Sequence, residues 1–150
     1  MPDHCEIRVA FKGVTLGNGV GLLEAQGLDD HEDAATCARY RDKDEKEDWE
    51  KISSEALNSC YSSLSFFDAE GMRFHLPAYL IADLKGEYRI GMEISLTHLF
   101  DRSQFDLLTA DQRMAVRRYL LHLETDPHSS YHHADIGAAL EYYWTETTRS

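Results

Sequence analysis

Arg73, His75, Tyr79 and Asp83 are the residues of this chain whose types and spacing could do chemistry. They lie in the apolar run Asp68–Leu84 (DAEGMRFHLPAYLIADL). On a helix His75, Tyr79 and Asp83 fall at i, i+4 and i+8, a polar track on an otherwise apolar element, with Arg73 on the opposite side among Pro77, Leu80 and Leu84. Such a track could line a cleft in which His75 and Asp83 transfer protons or recognise a ligand. The commoner outcome is a satisfied core network, because buried polar groups must be hydrogen-bonded. Arg73 would then reach an acid on a neighbouring helix, and His75 a backbone carbonyl. The four residues are therefore expected as binding residues at most. No catalytic residue, metal or cofactor is assigned.

Other spacings fail on their chemistry. His128 and His132 stand four apart with His133 and Asp135 close by, as two ligands on one helical turn would. The residues between them are Ser129, Ser130 and Tyr131, without the Glu of an HExxH motif, and His128 follows Pro127 outside the expected helix. Asp42, Asp44 and Asp48 suggest a calcium loop, but Lys46 and Glu47 stand where that loop needs an oxygen ligand and a glycine. Gly17, Gly19 and Gly21 alternate at the wrong spacing for a dinucleotide loop. There is no Walker loop, GxSxG elbow or Cys–His pair, and the serines within Ser62–Ser65 have no visible base.

Composition bounds the elements that must hold these residues. At 150 residues, 43% hydrophobic and 11% aromatic, the chain suffices for one domain with a real core. A net charge of −12 argues against nonspecific binding to nucleic acid or an anionic membrane, and is compatible with a basic protein partner. Half of that charge falls in Asp29–Glu50, where ten acids and four basic residues read as a solvated or mobile segment anchored at Tyr40 and Trp49. Cys5, Cys37 and Cys60 are odd in number and widely spaced, and no apolar run approaches the ~18 residues of a membrane span. MPDHCEIRVAF does not read as a signal peptide, so reduced thiols and a cytoplasmic location are expected.

The periodicity predicts an all-α single domain of five to seven helices, with an extended or hairpin element at residues 5–12, 88–96 or both as an alternative. Ile7, Ala10, Phe11 and Val14 have helical spacing, while Ile7, Val9 and Phe11 also alternate. Tyr88, Ile90, Met92, Ile94 and Leu96 alternate as a strand would, with Gly91 interrupting. Further helices are expected over Val20–Leu28, after Ser53 or Ser54, from the Thr109/Gln112 capping box to about Glu124, and over roughly Ser130–Thr145. Asp68 should cap the central segment and Gly86 close it. Pro77 inside it predicts either a kink or two shorter helices.

Five stretches together carry a family resemblance: AFKGVTLGNGVGLLEAQGLDD, DWEKI, SSLSFFDAEGMRFHLPAYLIADL, LTADQRMAVRRYLLHL and ALEYYW. They resemble a bacterial family of uncharacterised proteins, described as a domain of unknown function, over nearly the whole chain. FFDAEGMRFHLPAYL is its most specific piece. The resemblance implies a small bacterial protein of one domain and carries no activity or site residue. The expectation is a non-enzymatic, acidic protein-binding module of bacterial cytoplasm, like an immunity protein or antitoxin by analogy of size and charge. The alternative is a small enzyme or ligand-binding protein with a pocket near the polar residues of 68–84.

Overall fold

Residues 4–60, 62–98, 101–127 and 132–145 are described by a computed structural model of the chain. Among them are eight α-helices and no strand: α1 (His4–Ala10), α2 (Leu22–Asp29), α3 (Ala34–Lys43), α4 (Ser54–Ser59), α5 (Ala69–Leu84), α6 (Glu93–Thr97), α7 (Ala110–Thr125) and α8 (His133–Tyr142). Short 3-10 turns at Trp49–Lys51, Ser63–Phe66 and Arg102–Phe105 join them. The all-α expectation holds, and its range of five to seven helices is one short.

The extended alternative is overturned at both places by burial. Ile7 and Phe11 are buried while Val9 between them is 75% exposed, the face of a helix and not of a strand. Tyr88, Met92 and Leu96 are buried, whereas Ile90 and Ile94 are 56% and 51% exposed. The apparent period of two is thus a period of four, with two of the five apolar residues facing water.

α5 is the element around which the rest is packed. From Gly71 to Ala82 every side chain but Arg73 is buried, so this helix has no solvent face. Asp68 caps it, accepting from Gly71 N at 2.8 Å, and Gly86 ends it in the left-handed region at φ 73°. One α-helix runs through Pro77, so of the two alternatives the split into two shorter helices does not occur. A mid-helix proline costs about 3 kcal/mol, whereas each large apolar side chain fully buried contributes about 1.5–3 kcal/mol. Met72, Phe74, Leu76, Leu80 and Ile81 together outweigh the proline.

Two buried tryptophans tie segments distant in sequence together. Trp49 Nε1 donates to Phe11 O at 3.0 Å and Trp144 Nε1 to Leu96 O at 2.8 Å. α7 forms its capping box, Gln112 N donating to Thr109 Oγ1 and Thr109 N to Gln112 Oε1, and buries Ala115, Val116, Tyr119, Leu120 and Leu123. Arg117 bridges from α7 to α8, donating to the carbonyls of Leu140 and Trp144. Among the described residues no helix is long and apolar enough to cross a membrane.

Candidate functional site

α5 positions His75, Tyr79 and Asp83 one turn apart, as their spacing requires, but tertiary packing delivers each to a different neighbourhood. His75 is fully buried. Its ring lies flat on Phe67 at 4.3 Å between centroids, with Phe74 edge-on, and Nδ1 lies 2.7 Å from Gly71 O. A carbonyl only accepts, so Nδ1 carries the proton and Nε2 presents a lone pair. Loss of water pushes the pKa down to about 4, against the opposing effects of the Gly71 carbonyl and of Asp68, so His75 is neutral at physiological pH. Its Nε2 is buried without a hydrogen-bond partner.

Tyr79 is also fully buried and meets Tyr88 edge-on at 5.1 Å. Neither hydroxyl has a hydrogen-bond partner, and burial pushes both phenols up, Tyr88 to about 12. Asp83, half-buried, accepts from the Tyr119 hydroxyl. Desolvation raises its carboxyl above the usual range, with the Tyr119 bond working against that rise. Arg73 is half-buried, and its Nε is buried without a partner. The four side chains do not converge on one cleft. Of the four, His75 lies against a cavity of about 250 Å³ between α2, the chain following α3, and α4, with almost none of its own surface reaching the open space.

That cavity is built from elements distant in sequence. Leu22 and Leu23 come from α2, Asp44 and Glu45 from the end of α3, Ile52 and Ser53 from the chain before α4, and Ala56, Ser59 and Cys60 from α4 and its end. Asp44 holds two of these elements together. Its Oδ1 accepts from Leu23 N at 2.7 Å and its Oδ2 from Glu24 N at 3.2 Å, so it caps α2 from a position 20 residues downstream. Burial raises its carboxyl and these two bonds oppose the rise. Cys60 is buried, and desolvation pushes its thiol up, so it is a protonated, weakly polar wall.

The acidic segment meets the rest of the fold at the same place. Asp44 is the one acid of residues 29–50 that is buried. Arg41 turns to the carbonyls of Gly17 and Gly19, and Lys46 Nζ to those of Asp42 and Asp44, while Leu16 N donates to Lys46 O. Of the anchors expected there, Trp49 is buried and Tyr40 half-buried.

Residues 4–148 match the family model described as a family of unknown function, DUF6714. The chain belongs to that family. No curated protein and no solved structure matches it. Membership in DUF6714 covers the chain from α1 to beyond α8 and supplies no activity, so the chemistry of this DUF6714 domain rests on its own side chains.

Two residues of the cavity had other readings in the sequence. Asp44 stands in an acid-rich run and resembles a surface charge or calcium ligand, and nothing local marks it as the cap of a distant helix. Cys60 reads as core, and its place on a cavity wall depends on how α2 docks. Of the histidines near the C-terminus, His133 Nε2 lies 2.9 Å from Asp126 O and His132 precedes α8, while His128 lies outside the described residues.

Proposed function

We propose that this chain is a non-enzymatic protein-binding module of bacterial cytoplasm whose acidic face docks a basic protein. The observation that carries this reading is how the fold treats the charges of residues 29–50. Nine of its ten acids keep solvent exposure, while two of its four cations, Arg41 and Lys46, are turned onto backbone carbonyls. The outward face is therefore acidic, with six exposed acids beside two exposed cations, Arg39 and Lys43. Hydrogen bonds also keep parts of it ionised: the Thr36 contacts hold Asp33 below the usual carboxylate range, and the Glu47 amide does the same for Glu45. A held array of like charges speeds encounter with an oppositely charged partner and disfavours acidic ones. Immunity proteins and antitoxins supply the analogy for the class, through size and charge.

The test is capture from host lysate on the tagged chain, beside a variant with Glu32→Gln, Asp42→Asn and Glu47→Gln, all exposed positions. A specific basic protein should be retained at low salt and lost toward 1 M, where the screening length falls from about 10 Å at 0.1 M to about 3 Å. The same protein should be lost from the variant at low salt. Equal capture by both chains, or none by either, would overturn the reading.

A further inference from the structure

We propose that residues 41–48 form a strap that lifts from the start of α2 while the core stays folded, and so gates the cavity between α2 and α4. The sequence sets the first condition. Residues 41–48 (RDKDEKED) are eight charged residues in a row, so no apolar residue holds this stretch down. Asp44 is the buried one among them. The apolar anchors stand at the two ends. Trp49 is buried with its indole bonded to Phe11 O, and Tyr40 lies over Gly27, where an added Cβ would meet its ring at 2.8 Å. The strap begins in the last turn of α3, which frays as it lifts.

The bonds that close the strap set the second condition. Among the described residues its long-range hydrogen bonds all run to one place, residues 16–24. Arg41 donates to Gly17 O at 2.8 Å and to Gly19 O at 3.3 Å, Asp44 accepts from the amides of Leu23 and Glu24, and Lys46 O accepts from Leu16 N at 2.9 Å. Water replaces each of these partners when the strap lifts, so they oppose opening far more weakly than buried apolar surface holds α5. Lifting also rehydrates the Asp44 carboxylate, which burial disfavours. What lies behind is apolar. Lys43, Asp44 and Glu45 wall the cavity together with Leu22 and Cys60, both buried, and the charge of Asp44 is near enough to act on the Cys60 thiol. Opening therefore gives Cys60 and Leu22 to solvent. Tyr40 and Trp49 stay packed on either side, so Trp49 fluorescence follows the core and not the strap.

Two readouts test this on the full chain in urea below its unfolding transition. Reaction of Cys60 with N-ethylmaleimide is followed in a chain carrying Cys5→Ser and Cys37→Ala. Amide hydrogen exchange is followed in the native sequence, and so stands even where the cysteine variant does not fold. The Cys60 thiol and the amides of Leu16, Leu23 and Glu24 should share one opening constant with little dependence on urea. That constant should exceed the one for the Leu76 amide in α5 by roughly a hundredfold or more. Arg41→Gln removes the bonds to Gly17 and Gly19 and should raise it about tenfold, the worth of one charge-assisted hydrogen bond. Lys43→Gln, at an exposed strap position without such a bond, should leave it unchanged. Exchange of the three amides with the constant and urea dependence of Leu76 would mean that the strap leaves only when the core unfolds, and would overturn the proposal. Local opening that Arg41→Gln does not speed would place the moving part elsewhere and overturn it as well.

Discussion

His75 stays neutral in the folded chain because burial removes the water that would solvate an imidazolium, and the Gly71 carbonyl and Asp68 return only part of that loss. The consequence is a definite pH dependence. An unfolded histidine takes up its proton near 6.5, whereas the folded one resists until about 4. Stability from this residue is therefore complete above about 6.5, falls as pH drops through that window, and has no further loss below about 4. The size is on the order of 3 kcal/mol, at about 1.4 kcal/mol per unit of difference between folded and unfolded states. Asp44 and Asp83 act in the opposite sense, because their carboxyls are raised by burial and protonate more readily in the folded chain. Urea midpoints measured from pH 7 to pH 4 should fall for the native chain and fall much less for His75→Phe. Equal slopes would refute a buried neutral His75.

At the scale of elements, helices are held where their ends find partners and where their backbones can approach. Asp44→Ala leaves the Leu23 and Glu24 amides at the start of α2 without their acceptor, and should cost about 1–2 kcal/mol. Asp44→Asn retains one oxygen and should lose less. Hydrogen exchange at Leu23 and Glu24, fast in the alanine variant and intermediate in the asparagine one, separates this from general destabilisation. Two helical glycines, Gly71 in the first turn of α5 and Gly137 inside α8, give opposite expectations for the same substitution. At Gly71 a Cβ would stand 2.6 Å from Val20 O, a backbone atom that cannot turn aside, so Gly71→Ala should destabilise by about 1–3 kcal/mol despite the better propensity of alanine. At Gly137 the nearest atom would be Glu124 Oε2 at 3.5 Å, an ordinary contact, so Gly137→Ala should stabilise by up to ~1 kcal/mol. Thermal melts of the two variants should move in opposite directions.

For the whole molecule, the question is whether residues 29–50 unfold with the core. Trp49 reports on the end of that segment and Trp144 on the end of α8, and both rings are buried and bonded to distant carbonyls. Trp144→Phe leaves Trp49 as the fluorophore, and Trp49→Phe leaves Trp144. In each variant the fluorescence midpoint in urea should coincide with the midpoint by far-UV circular dichroism, as a single cooperative domain requires. A Trp49 transition at lower urea than the dichroism would mark the acidic segment as a separately opening unit.

Local rules made much of this architecture legible. The cap at Asp68, the stop at Gly86, the capping box at Thr109 and Gln112, and the apolar face of α7 are each set within a few residues, and the structure keeps them all. Period alone did not decide Tyr88–Leu96, because alternation says nothing about which apolar residues face water. Nor did the local cost of Pro77 decide α5, since its burial on every side is a property of the neighbours. The polar track of α5 was likewise visible as a spacing, and His75 was expected to bond a backbone carbonyl, as it does with Gly71. Its division among the cavity wall, Tyr88 and Tyr119 was not visible, because each partner comes from another element. Sequence alone determined the helical class, the ends of α5 and α7 and the start of α4, all of which follow from interactions a few residues long. Only the tertiary structure decided that Asp44 caps α2 and that Arg41 reaches the carbonyls of Gly17 and Gly19. It alone left Nε2 of His75 buried without a partner, since desolvation and pairing depend on groups from other elements of the fold.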